Sequence, residues 1–293
     1  MLIDQLVDSC TEAYNESNAG DCGAECNNRD NCVGTCNGRD GCLDQVHYWP
    51  SKGGRSDYEC EKLLYCYVHR FSQRYCDKIL AVAQNINLAQ YPRYDIFSIG
   101  CGATPDLMAF EQIAGRKEIY YEGYDKNERW EEIHNFIRDY AADRINVEVE
   151  IQPRDIFDVF ADGLPANHSF NIVVIQFLIS HLYNTDQDER INELYDGVIN
   201  NIINGREWDS PFLIIINDVD SMNKGRNTFH RLISKLEAAG YSGHAYAKSF
   251  FETGDLGRDR WGIDYFHRNG VIDYTYEKCE SEHTGAQLVI ELR

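Results

Sequence analysis

From Tyr94 onward the chain alternates strand-like and helix-like segments, and this alternation limits its fold more than any other feature. Ile172-Val-Val-Ile and Phe212-Leu-Ile-Ile-Ile are continuous apolar runs of strand length. Such runs suit central strands of a parallel sheet, because a strand with one wet face alternates polar and apolar residues. Strands are expected at Asp95–Ile99, Glu118–Tyr124, Val147–Ile151, Asn171–Gln176, Phe212–Asn217, Tyr241–Lys248 and Gln287–Leu292. Helical periodicity fills Asp106–Ile113, Arg129–Ala142, Asp188–Ile203 and Arg226–Ala239 between them. Strands joined through helices make right-handed crossovers, which predicts an α/β fold with a mainly parallel sheet covered by helices on both faces.

The sheet-forming region occupies 94–293, and two segments of different character precede it. Residues 58–93 read as a helical lead-in of one or two helices. Leu63, Leu64, Tyr67, Phe71, Ile79, Leu80 and Val82 recur at helical intervals, and neither Gly nor Pro intervenes before Pro92. Residues 1–57 are rich in Asn, Asp, Gly and Cys and show no sustained apolar periodicity, so an irregular region without a core of its own is expected. Nine of the 11 cysteines fall within the first 76 residues. Cys22, Cys32 and Cys42 share a ten-residue period, as do Cys26 and Cys36, which marks a short internal repeat.

Thiolate pairs a few residues apart, followed by another pair, are a zinc-like pattern. Cys22 and Cys26, then Cys32 and Cys36, fit it, with Cys42 as a fifth candidate and Cys60, Cys66, His69 and Cys76 as a second group. In that group His69 and Cys76 lie two helical turns apart, too far to share one ion. Cys66 and His69, three apart on a helix, face the same way and can share an ion. Three readings stand together: thiolate-bound zinc, disulfides in an oxidising setting, and unliganded thiols. The region is also a candidate surface for a protein partner.

Forty-eight acidic residues against 28 basic ones leave a net charge of −20, which disfavours a grip on nucleic-acid phosphates. Small molecules, peptides and proteins are favoured partners on that ground. No run approaches the roughly 20 apolar residues that span a bilayer. The opening residues carry neither a basic flank nor a long apolar stretch, so the expected location is the cytoplasm.

The chemistry concentrates after the first strand. Ser98-Ile-Gly100-Cys101-Gly102-Ala-Thr-Pro-Asp106 reads as a strand end, a glycine turn and a helix start. Gly100 and Gly102 let the backbone bend sharply and approach a ligand, and Pro105 and Asp106 suit a first helical turn. Asp125 follows Gly102 by 23 residues, at the end of the second strand. An acid there is placed to accept from a ribose diol, and it can equally cap the helix that begins near Glu128. A dinucleotide needs its pyrophosphate on the helix terminus, where Asp106 puts negative charge; this argues against a nicotinamide-dependent oxidoreductase. A cofactor without phosphates and with a cationic centre is compatible.

With these motifs in order, the carboxyl-terminal 200 residues resemble a class I S-adenosylmethionine-dependent methyltransferase. Ser98–Asp106 is similar to the first motif of that family, and Tyr124-Asp125 to the acidic end of its second strand. Gln152-Pro-Arg-Asp155-Ile156-Phe157 resembles the third-strand end, and Phe170-Asn-Ile-Val-Val-Ile-Gln176-Phe177-Leu-Ile-Ser-His181 the fourth strand and its loop. The resemblance implies a Rossmann-like, seven-stranded sheet whose closing strand, Ala286–Leu292, is antiparallel. It implies S-adenosylmethionine as cofactor, held by Ser98, Gly100, Cys101, Gly102, Asp106, Asp125, Lys126, Asp155, Ile156, Gln176 and Phe177. The thiol of Cys101 itself reads as a packing group.

Two departures from the family pattern are Ser98, where an acid is frequent, and Thr104, where a third glycine is. No Asn-Pro-Pro-Tyr run is present, so base-amino acceptors lose support. Gln176, Phe177, Ser180, His181, Asp218 and Asp220 fall on the acceptor side. Gln176 and His181 are the catalytic candidates, His181 as a general base near neutral pH or as an ordinary loop histidine. Two functions of different class follow: a methyltransferase acting on a small-molecule, peptide or protein acceptor, and an inactive methyltransferase-like subunit serving a larger assembly.

Overall fold

The computed structural model describes residues 1–16, 61–83, 86–164, 169–206, 210–221, 224–251, 272–278 and 285–292. The strands of its main sheet are β1 (Tyr94–Ile99), β2 (Ile119–Tyr124), β3 (Val147–Gln152), β4 (Ile172–Gln176), β5 (Phe212–Asp218), β6 (Gly243–Phe251), β7 (Ile272–Lys278) and β8 (Gly285–Leu292), beside a separate two-stranded ribbon of Asp220–Ser221 and Lys224–Gly225. The main sheet has the order β3-β2-β1-β4-β5-β8-β6-β7. Every pair is parallel except the two made by β8, which runs against β5 and β6. All seven anticipated strands are present within three residues of their expected ends, and β7 adds an eighth at the edge.

The pleat sorts the sheet residues into two cores. Ile96, Ile172, Val174, Leu213, Ile215 and Val289 face one layer, where α1 (Leu2–Glu16), α2 (Glu61–Ala83), α3 (Pro105–Ala114) and α4 (Glu131–Ala142) pack. Phe97, Val173, Ile175, Ile214, Ile216 and Leu288 face the other, covered by α5 (Ile156–Asp162), α6 (Leu178–Asn184), α7 (Asp188–Gly197) and α8 (Phe229–Ala238). The central runs Ile172–Ile175 and Phe212–Ile216 are fully buried, as strands covered on both sides must be.

The amino-terminal expectation needs correction. Residues 2–16 form a regular helix, and Leu2, Leu6, Cys10 and Tyr14, four residues apart, are buried. Leu2, Leu6 and Cys10 belong to the main core on the α2–α4 side. The Leu2 N–H donates to Glu111 Oε2 at 3.2 Å, and the Tyr140 hydroxyl donates to Glu111 Oε1 at 2.6 Å. A four-residue stripe that includes a cysteine and a tyrosine hides among polar neighbours, which is why it escapes a periodicity reading. Residues 17–60 lie outside the described residues, and with them Cys22, Cys26, Cys32, Cys36, Cys42 and Cys60. Among the described residues, no helix is long and apolar enough to cross a membrane.

Candidate active site

The strand order reverses between β1 and β4, and open α/β sheets bind ligands beyond the carboxyl ends of strands at such a point. Past Ile99 the chain takes three left-handed residues in five: Gly100 at φ 65°, Gly102 at 49° and Thr104 at 54°. Glycine enters this region freely, whereas β-branched Thr104 does so under strain. The Thr104 N–H donates to the Cys101 carbonyl at 2.8 Å, and Pro105 then opens α3. The Gly100 and Cys101 N–H groups both donate to the Tyr124 carbonyl, at 2.8 and 3.1 Å, which pins the turn to the end of β2.

Asp125 fastens the same turn from its side chain. Its Oδ2 accepts from the Gly102 N–H and its Oδ1 from the Asn127 N–H, each at 3.0 Å. Burial pushes the carboxyl above its ordinary range while these two donors pull it down. A carboxylate offers about four lone-pair sites, so two bonds leave acceptor capacity. Asp125 does not cap the following helical turn: Asn127 does, accepting from the Arg129 N–H.

His134 on α4 completes the bracket and is absent from the sequence-based candidates. It is 1% exposed, and its Nε2 lies 2.8 Å from the Gly102 carbonyl. Burial lowers its pKa to about 4, so the ring is neutral and Nε2 is the protonated nitrogen that donates. No local sequence signal marks it, because a histidine on an amphipathic helix reads as surface.

Two first-motif residues turn away from the cleft. The Cys101 thiol is buried, and a Cβ on Gly123 would lie 3.0 Å from its Sγ, so the thiol packs against β2. Burial, reinforced by the charge of Asp125, keeps it protonated. Asp106 is also buried; its Oδ1 accepts from the Tyr121 hydroxyl at 3.0 Å. Its Oδ2 and the Thr104 hydroxyl have no hydrogen-bond partner among the described residues. Burial raises the Asp106 carboxyl to about 6, although the Ser98 and Tyr121 hydroxyls favour the anion.

At the end of β3, Asp155 caps α5 by accepting from the Phe157 N–H at 3.0 Å, and its Oδ2 pairs with Arg190 at 3.7 Å. Ile156 turns into the second core, leaving Phe157 as the half-buried apolar neighbour, with the Arg190 guanidinium 3.7 Å from its ring centroid.

At the end of β4, Gln176 and Phe177 are half-buried, and Phe177 holds φ 55°. Its ring stacks on Tyr75 of α2 at 3.9 Å between centroids. Tyr67, Phe71 and Tyr75 recur every fourth residue along α2 and contact one another; Tyr67 also meets Trp130 edge-on at 5.5 Å. Thus α2 reaches from the loop after β2 to the loop after β4, across the mouth of the glycine turn. His181 is lowered in pKa, first by burial and then by the charge of Lys126, so its imidazole is neutral at pH 7. Asp218 and Ser180 are structural: the Asp218 Oδ2 accepts from the Ser180 N–H at 3.1 Å and so caps α6, whose own N-cap Phe177 supplies no side-chain bond. The side chain of Asp220 lies outside the described residues.

Cys66, named among the metal candidates, packs in a hydrophobic core cluster. It is buried with Tyr14, Leu63, Phe71 and Tyr75, while His69 on the same helix is exposed. Among the described residues, no group of three or more His, Cys, Asp or Glu could hold a metal ion.

No family model matches the chain, and no curated protein does. Several solved structures are similar in fold. One is a precorrin-6y C5,15-methyltransferase from Geobacter metallireducens, with 15% identity over 76% of this chain and 88% of that one, at TM-score 0.39. A second is a SAM-dependent methyltransferase from Archaeoglobus fulgidus, with 12% identity over 75% and 97%, at TM-score 0.44. A third is the plantazolicin methyltransferase BpumL in complex with SAH, with 11% identity over 97% and 100%, at TM-score 0.42. By its own strand order and directions, this chain has a Rossmann-like α/β fold with an antiparallel strand set between β5 and β6.

Proposed function

We propose that this protein binds S-adenosylmethionine at the glycine turn and transfers its methyl group to a small-molecule, peptide or protein acceptor. The observation that carries this reading is the turn itself. Three left-handed residues at the switch point are fastened through Gly102 to the Asp125 carboxylate, with a second carboxylate, Asp106, buried one step further on. Carboxylates in both places repel a pyrophosphate and suit a ligand that carries a ribose diol and positive charge.

The free lone pairs of Asp125 would accept from the ribose hydroxyls, and the backbone at Gly100 and Gly102 would admit close approach. Lys126, Asp155, Phe157 and Phe177 would line the remainder, with Cys101 contributing backbone only, Ile156 supporting from the core, and the buried Ser98 and Asp106 acting from behind the turn, Asp106 through its charge. When bound, the cofactor supplies an electrophilic methyl on a cationic sulfur. The chain itself orients the acceptor through Gln176 and Phe177, excludes water beneath the aromatic face of α2, and takes the acceptor's proton on the neutral ring of His181.

Calorimetry with S-adenosylhomocysteine and with NAD tests the assignment. Asp125→Ala is expected to weaken S-adenosylhomocysteine by about 1.5–3 kcal/mol, the range for hydrogen bonds to a charged group. Equal affinity in variant and parent, or tighter binding of NAD, would refute it.

A further inference from the structure

Three amide side chains lie side by side on the last rung to which β4 contributes, on the face beneath α2. Gln176 of β4 pairs in register with Asn217 of β5, and Asn217 with Gln287 of β8. The register of β1 with β4, carried one residue on from Ile99 and Ile175, sets Gly100 level with Gln176. The rung therefore ends at the glycine turn.

These amides form a chain whose direction is fixed. The Gln287 Nε2 donates to the Lys78 backbone carbonyl at 2.7 Å and to the Asn217 Oδ1 at 2.8 Å. The Asn217 Nδ2 then donates to the Gln176 Oε1 at 3.0 Å. A backbone carbonyl only accepts, so the end of Gln287 that meets Lys78 must be the NH2 end. Turning Gln287 over would set two acceptor oxygens against each other at that separation. With Gln287 fixed, Asn217 must accept from it and donate onward, and Gln176 must accept. Asn217 is 0% exposed and Gln287 2%, so water does not relax the constraint. Asn217 is further held by its carbonyl, which accepts from the Phe177 N–H at 2.7 Å. Only one polarity satisfies the chain, and it leaves the Gln176 NH2 as the group turned outward.

Resting on the methyltransferase reading, we infer that Gln176 presents a hydrogen-bond donor of fixed polarity to the acceptor, whose methylated atom sits beside a hydrogen-bond-accepting oxygen or ring nitrogen. Carbonyl, carboxylate and azine-type compounds have this chemistry, and an acceptor offering only N–H groups at that point does not. Asn217 and Gln287 are positioning residues, acting through Gln176, and the Lys78 carbonyl is the anchor. The aromatic wall of Phe177 and Tyr75 beside Gln176 suits a planar molecule.

The test uses the full chain, selectively 15N-labelled at glutamine and asparagine, with two neutral probes: acetophenone, which can only accept, and aniline, whose amine donates. In the parent, the Gln176 side-chain NH2 is expected to exchange with solvent quickly while those of Asn217 and Gln287 are protected. Acetophenone should bind about fivefold more tightly than aniline, as one hydrogen bond allows, and should shift the Gln176 NH2 resonances. Asn217→Asp removes the onward donor, so Gln176 must turn over; its NH2 becomes protected and the preference for acetophenone reverses or vanishes. Gln176→Met, at a half-buried position, keeps the fold and abolishes the preference, which preserves the test if Asn217→Asp misfolds. An unprotected Asn217 NH2 in the parent, or a preference unchanged in Gln176→Met, overturns the inference. Calorimetry of S-adenosylhomocysteine on the same samples separates the two proposals. Binding there with no acetophenone preference defeats this one alone; failure to bind defeats the methyltransferase reading, and with it the acceptor assignment.

Discussion

Asp106 is a carboxylate that the fold holds at the expense of stability, and its replacement by Asn should show this as a pH-dependent gain. The side chain is 1% exposed, and burial lifts its pKa from the ordinary 3.8 to about 6. Between those values the folded chain holds more protons on this group than the unfolded chain does. Stability attributable to Asp106 therefore falls as pH rises through that window. The gap between 3.8 and about 6, at 1.36 kcal/mol per tenfold change in proton affinity, comes to about 3 kcal/mol above pH 7. At pH 4 most of this is absent, because the folded group is protonated. Asn keeps the shape and can still accept from Tyr121. Urea unfolding of parent and Asp106→Asn at pH 4 and 7.5 should thus show the variant gaining about 2–3 kcal/mol at the higher pH relative to the lower. Asp218 and His134 titrate in the same range, but they are common to both proteins and cancel. Affinity for S-adenosylhomocysteine should fall in the same variant through the lost field of the carboxylate, since the side chain itself is buried behind the turn. A difference in stability that does not depend on pH, or a variant weaker than the parent at pH 7.5, would refute the reasoning.

Leu6→Ala in α1, at a position 1% exposed, is expected to cost about 3 kcal/mol in urea unfolding, since it opens a cavity in the main core. A loss below about 1 kcal/mol would mean that α1 is not part of that core. Gly102→Ala has room, its nearest neighbour being Trp130 at 3.6 Å, so only the left-handed backbone penalty of about 1 kcal/mol is expected. Gly123→Ala would set a methyl 2.8 Å from the Tyr121 ring and 3.0 Å from the Cys101 Sγ. It should cost about 1–3 kcal/mol and weaken cofactor binding through displacement of Cys101; thermal unfolding of the two variants side by side decides their order. His134, lowered to about 4, binds fewer protons folded than unfolded up to about pH 6.5. It therefore contributes stability that is lost as pH falls through that window, and His134→Gln should flatten this limb of a pH–stability curve.

What the sequence reveals about this site depends on how far its parts lie along the chain. Gly100, Gly102 and Asp125 are legible because a strand, a turn and a second strand end follow one another at short spacing, and the structure fastens them by direct bonds. The chemistry of a buried apolar run is equally local, which is why the seven strands can be read. His134 bonds to a carbonyl 32 residues away, and Gln287 to Asn217 across 70 residues; neither partner leaves any mark beside the other in the sequence. Their roles follow only from the strand order, because β8 enters the sheet between β5 and β6 and brings its amide to the rung that β4 and β5 already share. The misread α1 has the same origin. Its stripe of Leu2, Leu6, Cys10 and Tyr14 has meaning once Glu111 and Tyr140 are there to anchor its first turn. Local residues thus specify where a ligand can approach, and distant ones decide which polar groups meet it. In this chain the second kind sets the direction in which Gln176 points its donor.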